Sequence, residues 1–285
     1  MSGDTSGIAA YYDNLSRFLD VAQRFGRGGG AQHSSTHRFL AGDAEDEEHH
    51  GPERLDLLVM EAAIAAGVAP SPRVLDAGCG LGGTIFRWQA RFGGRYDGLT
   101  LSPEQHRRAS AEAARRDISE ACRFHLRSYQ EPMAAASYDA AIAIESLVHS
   151  PDPTHTIANL AQGLAPGGVL LIVDDMPEDT ADAGMIAGFK RGWRCPALVG
   201  AEDYRTALKA AGLTILRDVD WTMRLRPRAL PWLKVLVAVF AAARRISPTQ
   251  AMRDVLDSQV GGFQLEALYR TGGMRYRLLV ARKPD

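Results

Sequence analysis

Residues 73–91 read RVLDAGCGLGGTIFRWQAR, and this stretch decides the fold. Arg73–Ala77 is a short apolar run of strand character, Gly78, Gly80, Gly82 and Gly83 follow at once, and Ile85–Arg91 resumes with helical spacing. Strand, glycine turn and helix in that order form the first half of a βαβ unit. Glycine lets the chain turn tightly and approach a ligand where a side chain would collide. Working outward, Tyr96–Leu101, Arg123–Arg127, Tyr138–Glu145 and Gly168–Asp174 are further short runs rich in Val, Ile, Leu and aromatics, separated by helical patterns. That alternation predicts an α/β fold with a parallel, doubly wound sheet.

The segments around this core are less regular. Residues 1–70 read as a helical cap segment, in which YYDNLSRFLDVAQRF is broken by the glycines of RGGGAQHSST and AEDEEHHGPERLDLLVMEAAIAAG resumes. Residues 71–285 form the main domain, with cap insertions at about 177–213 and 224–263. Ser102 is the expected N-cap of a helix, with Pro103 in its first turn and Gln105 where a capping box takes Glu or Gln. A helix at Ala201–Ala211, a strand at Thr214–Asp220, a helical insertion from Pro227 to about Leu256 and a strand at Gly273–Lys283 complete the chain.

Composition excludes several classes. With 33 basic and 34 acidic residues the net charge is −1, which gives no general attraction to nucleic acid. Cys79, Cys122 and Cys195 are too few and too scattered for a disulfide framework or a standard metal site, so a reduced, cytoplasmic protein is expected. The first twenty residues lack the basic and apolar regions of a secretory signal. Ala229–Ala243 is the most hydrophobic run, but it falls short of the ~20 residues needed to span a bilayer and contains Pro231 and Lys234. Stable membrane insertion is not expected; peripheral contact and a homodimer stay open.

The glycine turn does not by itself choose its ligand. Gly78-x-Gly80-x-x-Gly83 also matches the dinucleotide fingerprint, and a ligand-free turn is the plain alternative. Asp76 argues against a pyrophosphate, which its carboxylate would repel, and favours a cationic sulfonium and ammonium. The next strand ends in Leu99-Thr100-Leu101-Ser102, without the acid that a dinucleotide site offers to ribose.

DAGCGLGG, GLTLSPEQ, SYDAAIAIESLVHSPDP and LAPGGVLLIVDDM, in that order over residues 70–176, resemble the class I S-adenosylmethionine-dependent methyltransferases. Within them the chain is similar to the small-molecule branch of tocopherol, sterol, quinone and natural-product enzymes, and GLTLSPEQ also resembles cyclopropane fatty-acid synthases. The resemblance implies a Rossmann-like sheet of seven strands, the last antiparallel, under a helical cap. It implies S-adenosylmethionine as cofactor and S-adenosylhomocysteine as product. Asp76, Gly78, Cys79 and Gly80 would serve the methionine end, with Ile144 and Glu145 at the fourth strand's end. Thr100, Leu101 and Gln105 would lie along the ribose and adenine, with Ser128 and Tyr129 after the third strand. Thr100 and Ser128 stand where the family usually keeps acids. Tyr11 and Tyr12 resemble an aromatic pair that caps the cofactor, and as a plain helix face they would serve packing instead.

Catalytic candidates should project from the carboxyl ends of the strands. Glu145 closes an apolar strand, where an unpaired carboxylate is costly, so it needs a partner or a job. By resemblance, Glu145 takes a proton from a methylated cation, or His149 and Asp174 act on a hydroxyl. The plain alternatives are a cofactor-orienting Glu145, a helix-capping His149 and a solvating Asp174. His33, His37, His49 and His50 fit no standard metal spacing. Arg24, Arg27 and Arg38 are where a phosphate would be sought, with Mg²⁺ only if the substrate is a diphosphate. The apolar stretch Leu230–Phe240 could roof a pocket, form a dimer interface or rest on a membrane surface. The expected activity is methyl transfer to a carbon or oxygen of a small, largely apolar metabolite (an isoprenoid, prenyl diphosphate, quinone or polyketide). The rivals are methylation of a polar sugar or amine, a non-catalytic cofactor-binding regulator, and a nicotinamide oxidoreductase.

Overall fold

The computed structural model of the chain describes residue 13 and residues 52–227 and 232–285. The strands are β1 (Arg73–Ala77), β2 (Arg95–Thr100), β3 (Cys122–Leu126), β4 (Tyr138–Ile144), β5 (Leu164–Pro177), β6 (Thr214–Asp220) and β7 (Met274–Arg282). Among the described residues they make one seven-stranded sheet in the order β3-β2-β1-β4-β5-β7-β6. The pairings from β3 to β5 are parallel, and β7 runs antiparallel between β5 and β6. The expected doubly wound sheet with a final antiparallel strand is therefore present. Strand order reverses between β1 and β4, which opens a crevice at their carboxyl ends.

The helices are α1 (Pro52–Ala65), α2 (Gly83–Phe92), α3 (Pro103–Arg115), α4 (Pro153–Gly163), α5 (Ala183–Trp193), α6 (Ala201–Ala210), α7 (Leu233–Ile246) and α8 (Gln250–Thr271). Both sheet faces are covered, so central strands are apolar throughout. In β4, Ala140, Ile142 and Ile144 enter one core, while Ala141 and Ala143 enter the other. β5 alternates likewise, with Val169, Leu171 and Val173 against Leu170 and Ile172.

The surrounding helices divide between the sheet and one another. Within the 1–70 cap segment, α1 packs Leu55, Val59, Ala62 and Ala63 into the first core. Asp56 ties it to α2, accepting from Thr84 Oγ1 at 2.7 Å and pairing with Arg87, while Trp88 Nε1 donates to the Asp56 carbonyl at 3.1 Å. Within 177–213, α5 lies against α8, but α6 covers the sheet with Tyr204, Ala207 and Leu208. The insertion after Pro227 is two helices, because Pro248 lacks the N–H to continue α7 and biases Ser247 to extended backbone. Thr249 then caps α8, accepting from Met252 N at 3.2 Å, and α8 runs on to Thr271.

Glycines set the spacing of α5 on α8: a Cβ at Gly192 would lie 2.4 Å from the Asp257 carbonyl oxygen. Phe240 of α7 meets Phe263 of α8 edge-on at 5.4 Å. No helix among the described residues is long and apolar enough to cross a membrane.

Candidate active site

The turn after β1 is built by conformations that side chains resist. Gly78 has φ +108°, and a Cβ there would lie 2.5 Å from Ser146 Cβ. Gly80 has φ +54° and faces open space, with nothing within 4 Å of a built Cβ. The amides of Gly78 and Cys79 both donate to the Leu99 carbonyl, at 3.1 and 2.9 Å, which hangs the turn on β2. Cys79 is turned into the core, its sulfur tight against Gly98, where a Cβ would approach it to 2.8 Å. Burial pushes the Cys79 thiol up, so its expected cofactor contact is not made by a reactive sulfur.

Asp76 is buried, 5% exposed, and its carboxylate makes no hydrogen bond or ion pair among the described residues. Burial first, and then the negative charge of Asp56, push its carboxyl up to about 8. An acid in this state gains from any cation brought beside it. Above the turn, Ser146 Oγ is also buried without a hydrogen-bond partner among the described residues. Sequence reading passed over Ser146; its adjacency to Glu145 was the available signal.

On the β2 and β3 side, Thr100 and Gln105 spend their side chains on each other, Thr100 Oγ1 donating to Gln105 Oε1 at 2.8 Å. The expected N-cap forms, Ser102 Oγ accepting from Gln105 N at 3.0 Å, but the returning half of the capping box does not, since Thr100 claims the Gln105 oxygen. Asp13 docks here, bonded by Ser102 Oγ and by Glu104 N at 3.4 Å. Tyr11 and Tyr12 lie outside the described residues, as do the histidines at 33, 37, 49 and 50 and the arginines at 24, 27 and 38. Ser128 Oγ accepts from Gln130 N at 3.0 Å, and Tyr129 Oη donates to the Ser146 carbonyl at 3.1 Å.

The end of β4 carries strain. Ile144 is buried in the core, and the next residue, Glu145, sits in left-handed backbone with φ +49°. That conformation costs a non-glycine residue about 1–2 kcal/mol and persists where surroundings over-determine it. Here its amide donates to the Val173 carbonyl at 2.7 Å, and Tyr276 Oη of β7 donates to Glu145 Oε1 at 2.8 Å. The partner required by an apolar strand end is thus Tyr276, 131 residues away.

Asp174 is fully buried, and so is not the solvating strand end of the plain reading. It accepts from Val148 N and Asp175 N, both at 3.0 Å, and from Tyr204 Oη at 3.5 Å. Burial, followed by the charge of Asp175, holds its carboxyl well above the usual range. These bonds fasten the 3₁₀ turn Leu147–His149 to β5. His149 on that turn is buried, with Nδ1 at 3.5 Å from the Arg194 carbonyl oxygen. Burial lowers it to about 4, against the opposing pull of the Arg194 carbonyl and Glu145, so the imidazole is neutral at pH 7.

His149 faces a cavity of about 970 Å³. Leu101, Ser128 and Tyr129 line it from the sheet, and Gly188, Val237 and Val260 line it from α5, α7 and α8. Asp174 is not part of that lining. The roof is also more charged than the apolar Leu230–Phe240 run suggested, since Lys190, Arg191, Arg194, Arg244 and Arg245 face the same space. The sequence signal for this group was the cluster KRGWR at 190–194. On its other side α7 leaves Trp232, Val235 and Val239 exposed.

Comparison with known proteins places this geometry in a family. A family profile described as a methyltransferase domain matches residues 45–218. The 27-O-demethylrifamycin SV methyltransferase of Amycolatopsis mediterranei is 31% identical over 83% of the chain and 90% of its own length. A probable tocopherol O-methyltransferase of rice (Oryza sativa subsp. japonica) is 24% identical over 99% of the chain and 79% of its own length. A geranyl diphosphate methyltransferase solved with GPP and sinefungin shares the fold, with TM-score 0.72, 22% identity and 98% of each chain covered.

Proposed function

The chain belongs to the class I S-adenosylmethionine-dependent methyltransferases, and from that premise we propose that it methylates a carbon or oxygen of a small metabolite with a largely apolar body. The observation that carries the reading is the large cavity beside His149, roofed by the cap helices and continuous with the turn side at Leu101, Ser128 and Tyr129. The acceptors named in the relatives, tocopherol and 27-O-demethylrifamycin SV, support a small natural product.

The residues present fit the cofactor. Asp76 is a buried carboxylate in want of a cation, Ser146 Oγ a buried hydroxyl in want of a partner, and Gly78 a position where a Cβ would collide. Asp76, Gly78, Gly80 and Ser146 would hold the methionine end. Thr100, Leu101, Gln105, Ser128, Tyr129 and Ile144 would border the nucleoside. Cys79 drops out of this set, its sulfur being in the core and its amide taken by Leu99. When bound, S-adenosylmethionine supplies an electrophilic methyl group on a cationic sulfur.

The chain's own contribution is position, dryness and proton handling. Holding acceptor and donor in line is worth about 7–11 kcal/mol in favourable cases. The roof of α5, α7 and α8 excludes water from the acceptor. His149, neutral at pH 7, takes the proton of a hydroxyl acceptor, and Glu145, held by Tyr276, takes it from a carbon acceptor. Asp174 acts through the turn that carries His149 and is a positioning residue. The test is transfer of labelled methyl from S-adenosylmethionine to a panel of prenyl alcohols, quinols and polyketide phenols beside amino sugars. Label in the apolar acceptors is expected; label confined to the sugars would reject the reading.

A further inference from the structure

The cavity wall carries unbalanced charge. Among the described residues five cationic ones, Lys190, Arg191, Arg194, Arg244 and Arg245, line it with two carboxylates, Asp254 and Asp257. Both carboxylates are engaged: Arg194 pairs with Asp254 at 3.0 Å and Arg244 with Asp257 at 2.6 Å. The side chains of Lys190, Arg191 and Arg245 have no ion pair or hydrogen bond among the described residues. Their helix positions explain part of this. Lys190 and Arg191 lie in the last turn of α5 and Arg245 in that of α7, where the dipole favours cations.

The dipole does not explain Arg194. This residue closes α5 in left-handed backbone, φ 55°, and Asp254 grips one end of its guanidinium. Asp254 is itself buried and also accepts from Gln250 Nε2 at 2.8 Å, so the arginine is locked in place. Yet Arg194 Nε is buried with no acceptor among the described residues. A buried donor left unpaired is costly, and a site keeps one where a ligand brings the acceptor. Four positive groups on the wall of one cavity, one of them an oriented N–H without a partner, form a receptor for an oxyanion.

We infer that the methyl acceptor is amphipathic, its apolar body under α7 and α8 and an anionic end, phosphate or carboxylate, held by Lys190, Arg191, Arg245 and Arg194 Nε. This deepens the methyl-transfer reading of the same cavity and rests on it. In this reading direct contact with the cations carries the recognition.

The test is calorimetry on the protein saturated with S-adenosylhomocysteine, titrated with octyl phosphate, octanoate and 1-octanol. An anionic probe should bind roughly tenfold or more tighter than octanol, as charge-assisted bonds in a half-buried site allow. The better anion identifies the head group. The triple variant Lys190→Ala/Arg191→Ala/Arg245→Ala should lose that preference while still binding S-adenosylhomocysteine, which also reports that it folds. In the wild-type protein the preference should shrink as salt rises, which needs no variant. Equal binding of octanol and the anions, a preference that survives the triple substitution, or no binding of any probe by cofactor-loaded protein overturns the inference. Failure to bind S-adenosylhomocysteine would instead remove the methyl-transfer reading beneath it.

Discussion

Asp76→Asn, combined with a pH titration, tests how the glycine turn holds its ligand. Asp76 titrates at about 8 in the ligand-free protein, because it is buried and lies near the charge of Asp56. At pH 6 it is then roughly 1% ionised and at pH 7.5 roughly a quarter, by simple titration. An ammonium placed beside it lowers its pKa, so the complex holds fewer protons than the free protein. Affinity for S-adenosylhomocysteine should therefore rise with pH, by about 20-fold from pH 6 to 7.5, and level off above about 8. Binding at pH 6 should release close to one proton, visible as a dependence of the calorimetric heat on the buffer's ionisation enthalpy.

The same shift bears on stability with the opposite benefit. The folded pKa lies above the unfolded one, so stability is greatest at acid pH and is lost progressively from about pH 4 to about 8 as the charge forms. Asn keeps the shape and removes that cost, so Asp76→Asn should raise the Tm of the cofactor-free protein at pH 7. The gain is of order a few kcal/mol, while cofactor affinity becomes weak and pH-independent. A wild-type affinity that is flat across this range, with no proton released, would refute the argument.

Other expectations follow from the same geometry. Gly78→Ala forces a Cβ to 2.5 Å from Ser146 Cβ at φ +108°, so Tm should fall by an amount equivalent to about 2 kcal/mol or more and S-adenosylhomocysteine binding should be lost. Normal binding in that variant would show that the turn is not under this constraint. Glu145→Gln or His149→Ala should lower turnover about 10²–10⁴-fold, in whichever residue serves the acceptor, with cofactor affinity near normal; unchanged turnover in both would end the assignment. Asp56→Ala removes the partner of Thr84 and Arg87, so thermal unfolding should register a loss of about 2–4 kcal/mol. Because the charge of Asp56 helps to raise Asp76, that variant should also move the midpoint of the affinity–pH curve downward, and an unmoved midpoint would remove Asp56 from the account.

The strands and the glycine turn were readable in the sequence because their causes are local. β1 and β6 match the expected spans residue for residue, since short runs of strand-forming residues bounded by turns leave little choice. The Ser102 N-cap was readable for the same reason, its bond reaching three residues. The other half of that capping box was not, because Gln105 answers to a strand-end threonine once both are buried. Pro248 was a local signal passed over, and it splits the insertion into α7 and α8. α6 has ordinary helical spacing, and nothing within it says whether its apolar side meets the sheet or the cap.

The sequence by itself determined the sheet, the position of its glycine turn and an acid at the mouth of that turn, since backbone geometry and side-chain period act over a few residues. Tertiary structure decided the states of the groups. Burial leaves Asp76 without a partner and Asp56 beside it, and packing of β7 against β5 brings Tyr276 to Glu145 across 131 residues. It also sets three helix ends around one cavity, so that cations spread over 56 residues of chain face a common space. Desolvation and charge coupling depend on distances through space, and those exist only once the chain is folded.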